Sequence, residues 1–222
     1  MDIILKRSIE WLDRLIAFDT TSRLSNLDLI ADIKNYMDEL GVPTRLTHDK
    51  DKTKANLWCT IGPQDIGGVV LSGHTDVVPI DGQEWTKTPF KMSEESGKLF
   101  GRGTSDMKGF CAIALAMAPE MKSRDLKIPI HFAFSFDEEV GCVGVRHLIK
   151  DVVDNLPLPR AVIVGEPTSM KIVGGNKGGR SFRTTVRGVS GHSSEPHRGA
   201  NSIMAAARII NFIESLQEEL IK

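Results

Sequence analysis

Four apolar or strand-like segments of this chain each run into an acid or a histidine. VVLSGHTD delivers His74 and Asp76, LFGRGTSD delivers Asp106, HFAFSFDEE delivers Asp137, Glu138 and Glu139, and VIVGEP delivers Glu166. In an open α/β sheet the carboxyl ends of parallel strands open onto one crevice, so residues far apart in sequence converge there. One histidine and several carboxylates then share a site. Carboxylates packed without a counter-charge repel one another and take up protons, so such a cluster calls for solvent or cations. Divalent metal is the economical answer. Nitrogen and oxygen ligands without thiolate suit zinc, cobalt or manganese, and one shared carboxylate can hold two ions about 3.5–4 Å apart. Side chains repeat every two residues in an extended segment, which puts His74 and Asp76 on one face and lets Asp76 accept a hydrogen bond from the second ring nitrogen of His74. The adjacent acids Glu138 and Glu139 suit a division of labour, one binding metal and the other taking a proton from water.

Each of these residues also has a structural reading. Asp106 fits the cap of the helix that follows it, and Glu138-Glu139 fit the positive end of a helix after Gly141. His131 lies inside an apolar strand and His147 on a helix, both structural, while His48 lies in a polar loop, solvated. Cys59, Cys111 and Cys142, the three cysteines, stand at wide spacings within apolar segments, as reduced buried thiols do.

The elements that must position the cluster are written in the hydrophobic pattern. Ile9, Leu12, Leu15 and Ile16 repeat at helical spacing, as do Leu29, Ile30, Ile33, Met37 and Leu40 before Gly41. Residues 56–61, 69–72, 128–136 and 161–164 are apolar runs short enough for strands, and 109–121 and 143–152 read as helices, with Pro119 placed to end the first early. This alternation predicts an α/β fold, a largely parallel sheet covered by helices on both faces. Beyond Gly178-Gly179 the texture changes. Residues 181–189 alternate like a half-exposed strand, and Gly199 leads into a long helix with Ile203, Ala206, Ile210 and Ile213 on one stripe. The expected organisation is therefore a catalytic domain over 1–178 and the start of a smaller α+β lid or dimerisation domain over 179–222. A lone strand and helix make no core of their own, so that second domain is expected to be cut short.

Composition limits the function classes. With 28 basic against 29 acidic residues in 222, the chain has no electrostatic case for nucleic acid or an anionic membrane. Its N-terminal stretch, MDIILKRSIEWLDRLIAF, carries acids among its apolar residues and matches neither a signal peptide nor a membrane span, so a cytoplasmic location is expected.

SGHTDVVP, GRGTSDMKG, DEEVG and GEPT, in this order and spacing, resemble the metal-site signatures of the M20 metallopeptidases. GEPTSMKIVGGNKGG followed by SGHSSEPHRGANSI is more similar to the acetylornithine deacetylase branch than to the succinyl-diaminopimelate desuccinylase or carboxypeptidase branches. The resemblance implies the zinc-peptidase-like α/β fold with a lid domain, two Zn2+ per active site with Co2+ also fitting, and hydrolysis of a small N-acyl amino acid by a homodimer. By the same resemblance His74 and Glu166 hold one metal, Glu139 the other, and Asp106 bridges them. Glu138 is then the general base, passing a proton from water to the leaving amine, and the peptide bond after Asp106 is cis. His192, in GHSS, would reach the partner subunit's active site and support the oxyanion, and Asn201 would assist there or cap its helix. Two features depart from the pattern: the family's last metal ligand is a histidine beyond Lys222, and Asn176 stands where many deacetylases have histidine. The alternatives are another M20 acyl-amino-acid hydrolase, such as a desuccinylase, or a truncated metal-binding and dimerising module.

Overall fold

The structure, a computed structural model, describes residues 2–221. It divides into two compact units, Met1–Ile172 and Val173–Lys222, a few residues before the Gly178-Gly179 boundary expected from texture. Among the described residues no helix is long and apolar enough to cross a membrane.

The first unit opens with α1 (Ile3–Ile16), whose N-terminus is capped by the Asp2 carboxylate accepting from Ile4 N at 3.0 Å, and α2 (Leu27–Glu39). The strands β1 (Thr44–His48), β2 (Ala55–Ile61) and β3 (Val69–His74) follow, then a small hairpin of β4 (Ser93–Glu95) and β5 (Lys98–Phe100). Next come α3 (Lys108–Lys122), β6 (Ile130–Ser135), α4 (Val145–Asn155) and β7 (Ala161–Val164). The main sheet has five strands in the order β1-β2-β6-β3-β7.

Alternation along the strands builds a core on each face. Leu57, Cys59 and Ile61 of β2, with Phe132 and Phe134 of β6, pack under α1, α2 and α3. Trp58, Val70 and Ala133 point the other way, onto Leu148 of α4 and Leu156 just after it. Asp151 ties α4 down by accepting from Trp58 Nε1 at 2.6 Å and pairing with Arg45 at 2.8 Å.

Three sequence expectations are corrected here. The sheet is mixed: β6 pairs in parallel with β3, and β3 with β7, but β2 is antiparallel to both β1 and β6. The connection 49–54 between β1 and β2 is too short for a crossover, so those neighbours must run antiparallel. It places His48 at the end of a strand where a loop was expected. Pro119 does not end α3, which continues to Lys122. The carbonyl of Leu115, whose bond from residue 119 a proline cannot make, accepts instead from the Tyr36 hydroxyl at 3.1 Å.

The second unit holds a 3₁₀ turn at Pro196–Arg198 and α5 (Ser202–Ile221), the latter without a buried residue. Residues 181–189 form no strand; Val189 makes one isolated bridge, to Ala200. An extended segment becomes a strand only where a neighbour satisfies its backbone, and these residues have that partner at one position alone.

Candidate metal centre

Of the three parallel strands, β3 and β6 end level and β7 ends two residues earlier, which brings Glu166 level with His74. His74 is the last residue of β3 and lies in register with Ser135, the last of β6; Ser72 lies in register with Val164, the last of β7. Glu138-Glu139 and Glu166 therefore follow their strands on the same edge as His74, and Asp106 joins them from the loop that opens α3. The peptide bond Asp106–Met107 is cis.

His74 sits at the floor of the cluster, 1% exposed, while the side chains of Asp106, Glu138 and Glu166 are 48%, 37% and 36% exposed around it. Its Nε2 lies 3.1 Å from Asp106 Oδ1, 3.8 Å from Glu166 Oε1 and 3.9 Å from Glu138 Oε2. Two triads share it: His74, Asp106 and Glu139, and His74, Glu138 and Glu166, each with ligand atoms within 4.8 Å of one another. The carboxylates implied to bind metal are thus together, and Glu138, implied to be the base, stands among them.

The other imidazole nitrogen settles whether a cation fits. Nδ1 faces the backbone carbonyl of Asp76 at 2.9 Å, an acceptor only, so the Nδ1 proton is committed there. The lone pair of Nε2 then points at carboxylate oxygens. That contact is repulsive unless a proton or a metal ion lies between them. Among the described residues no lysine or arginine pairs with Asp106, Glu138, Glu139 or Glu166. Burial pushes the carboxyls of Glu139 and Glu166 upward, with the neighbouring Asp106 adding to both. Burial acts to lower His74, but Asp76, Glu166 and Glu138 raise it on balance. An oxygen-rich cluster with one imidazole and no cation of its own suits a divalent metal.

Asp76 is placed differently from the sequence expectation. Its carboxylate lies 3.6 Å from Nδ1, beyond a hydrogen bond, because the nearer backbone carbonyl takes that proton. The carboxylate instead accepts from Glu138 N at 3.0 Å, Glu139 N at 3.2 Å and the Ser22 hydroxyl at 2.7 Å. It holds the two glutamates by their backbone. Asp106 does not cap α3: the N-cap position is Met107, and no side chain hydrogen-bonds there.

Several contributors carry no sequence signal of their own. Lys108, 1% exposed, donates to the carbonyls of Leu15 at 3.0 Å and Phe18 at 2.8 Å, fastening the start of α3 to the end of α1 beside Asp106. Burial lowers its pKa to about 8. Lys54 pairs with Asp137, which has a left-handed backbone at φ 53°. Cys142 is exposed rather than buried, since the turn after Glu138-Glu139 bulges to solvent, and its thiol donates to Glu138 Oε1 at 3.3 Å. Cys59 and Cys111 are buried, His131 is buried against the Thr60 hydroxyl at 2.8 Å, and His147 lies on α4.

His192 belongs to the second unit, where its Nδ1 meets the Ser194 hydroxyl at 2.7 Å. Asn201 caps α5, its Oδ1 accepting from Ile203 N at 2.9 Å and Met204 N at 3.2 Å.

A family model described as peptidase family M20/M25/M40 matches residues 70–221, a span holding His74, Asp106, Glu139 and Glu166. Acetylornithine deacetylase of Shigella sonnei (strain Ss046) is 38% identical over 197 residues, covering 88% of this chain and 50% of that protein. The chain thus spans about half the length of this curated relative. Among solved structures, a tripeptidase from Staphylococcus aureus subsp. aureus Mu50 is similar at a TM-score of 0.65 and 18% identity, over 93% of this chain and 56% of that one. An M20 family metallo-carboxypeptidase, Sso-CP2 from Sulfolobus solfataricus, is similar at 0.57 and 24% identity, over 74% and 37%. Those two likenesses speak for the fold, whereas the family model covers most of the chain and the very residues of the acidic cluster: the chain belongs to peptidase family M20/M25/M40.

Proposed function

We propose that this chain is part of a metal-dependent amidohydrolase that removes the acetyl group from N-acetylornithine, serving arginine biosynthesis in the cytoplasm. The observation that carries the metal-dependent chemistry is His74, buried, with one nitrogen committed to the Asp76 carbonyl and the other facing carboxylates that have no basic partner. The substrate reading is supported by the 38% identity to an acetylornithine deacetylase.

His74, Asp106, Glu139 and Glu166 would hold Zn2+, or Co2+, with Asp106 shared. When bound, such ions supply water activation at neutral pH and polarisation of an amide carbonyl. Glu138 accepts the proton of the attacking water and delivers it to the amine as the C–N bond breaks, producing acetate and ornithine. Asp76 keeps Glu138 and Glu139 in place through their backbone N–H groups. His192 is proposed to support the oxyanion from the partner subunit of a homodimer, on the strength of the GHSS match.

The test is to supply the purified chain with Zn2+ or Co2+ and follow amine release from N-acetylornithine and from N-succinyl-diaminopimelate. Ornithine release that is lost in Glu138→Gln, with metal still bound, supports the deacetylase. Preference for the succinyl substrate replaces it with a desuccinylase, and metal binding without hydrolysis of either favours a metal-binding, dimerising module.

A further inference from the structure

Ser22, in the loop between α1 and α2, spends all three of its polar groups on the surroundings of the acidic cluster. Its N–H donates to the Val77 carbonyl at 3.1 Å, its hydroxyl donates to Asp76 Oδ2 at 2.7 Å, and its carbonyl accepts from Lys54 Nζ. From there two struts reach the same turn. Through the first, Asp76 receives Glu138 N at Oδ1 and Glu139 N at Oδ2, at 3.0 and 3.2 Å. Through the second, Lys54 pairs with Asp137, the residue immediately before Glu138, whose left-handed backbone turns the chain out of β6. Both struts are sheltered: Ser22 is 8% exposed, Asp76 2%, and the side chains of Lys54 and Asp137 are 13% and 16% exposed. The loop is itself anchored, with the Thr20 hydroxyl donating to the Thr75 carbonyl at 2.5 Å and Val77 N to the Thr20 carbonyl at 3.1 Å.

A carboxylate bound only by two successive peptide N–H groups still swivels about its own axis and lets the turn follow. The Ser22 hydroxyl, sharing Oδ2 with Glu139 N, fixes the plane of the group. Lys54 meanwhile neutralises an acid that would otherwise repel the carboxylates beside it. We propose that Ser22 and Lys54 are positioning residues which set the orientation of Glu138 and Glu139 toward a bound metal, without touching it. The inference rests on the metal-centre reading above.

The test is Co2+ titration of the full chain, following affinity and the visible spectrum of the bound ion, with metal-free melts alongside. Ser22→Ala and Lys54→Met are expected to weaken binding by about 10–100-fold and alter the spectrum, as loss of groups that orient ligands does. Ser22→Thr, which keeps the hydroxyl, is expected to restore both. Wild-type affinity and spectrum in Ser22→Ala and Lys54→Met would overturn the assignment, and so would failure of Ser22→Thr to rescue. Loss of the fold in both variants would also overturn it, since the residues would then be structural. If the unaltered chain takes up no Co2+, the metal-centre reading itself fails and this inference with it.

Discussion

A Cβ added at Gly165, the residue before Glu166, would fall 1.9 Å from Phe110 Cγ and 2.2 and 2.3 Å from its two Cδ atoms. Ordinary carbon contacts begin near about 3.5 Å, so something must move by about 1.5 Å. Rotating the ring does not help, because Cγ is its root and stays in place. Phe110 lies in the first turn of α3, shortly after Asp106, so the movement passes either to the Glu166 strand end or to the Asp106 loop. Overpacking of this kind costs about 1–3 kcal/mol, and the fixed root of the ring argues for the upper half of that range. Gly165→Ala should therefore lower the melting temperature of the metal-free chain by about 4–10 °C. It should also weaken Co2+ binding by about 10–100-fold, because both affected segments carry ligands. Phe110→Ala makes room for the new methyl group. The double variant should therefore recover about 1–2 kcal/mol relative to the sum of the single changes. A Gly165→Ala chain that melts and binds Co2+ like the unaltered one, or strictly additive costs, would refute the close approach.

Tyr36→Phe leaves the Leu115 carbonyl without its donor opposite Pro119 and should cost about 1–2 kcal/mol in urea denaturation, with metal affinity unchanged. Asn56→Ala should cost about 2–4 kcal/mol and also weaken metal binding. Its buried amide donates to Gly144 O at 3.0 Å and accepts from Phe136 N at 3.1 Å, closing both ends of the turn that carries Glu138 and Glu139. Cys59 and Cys111 are buried, with thiols pushed up to about 12, whereas Cys142 is exposed, so iodoacetamide at pH 8 should modify Cys142 alone in the native chain. Mass spectrometry should show one adduct, rising to three on denaturation.

The main elements were legible because burial imposes a period. Leu12, Leu15 and Ile16 announce α1, and the apolar run 56–61 announces β2, which is buried throughout. The acidic cluster was legible for a related reason: His74 closes β3, Glu138-Glu139 and Glu166 come just after β6 and β7 on the same sheet edge, and Asp106 opens α3 beside them. β1 was not, since TRLTH is polar and lies at the sheet edge with no fully buried residue. Pro119 misled because its missing hydrogen bond is made good by Tyr36, a contact no local pattern encodes. The sequence puts Asp76 beside His74, but the partners of its carboxylate, two backbone N–H groups more than sixty residues away and the Ser22 hydroxyl, are a match set by the fold. Ser22 and Lys54 were invisible for the same cause, being ordinary loop residues whose chemistry arises from where β3 and β6 end. The strand expected over 181–189 fails because alternation signals a strand only where a neighbour exists to pair with it.

His74 is the one residue common to both triads, so its removal tests the central claim most directly. Calorimetric titration of Zn2+ into the metal-free chain should show saturable binding, reversed by EDTA and weakened by more than about 100-fold in His74→Ala. Equal binding by the two proteins, or none by the unaltered chain, would contradict a metal centre built on this histidine.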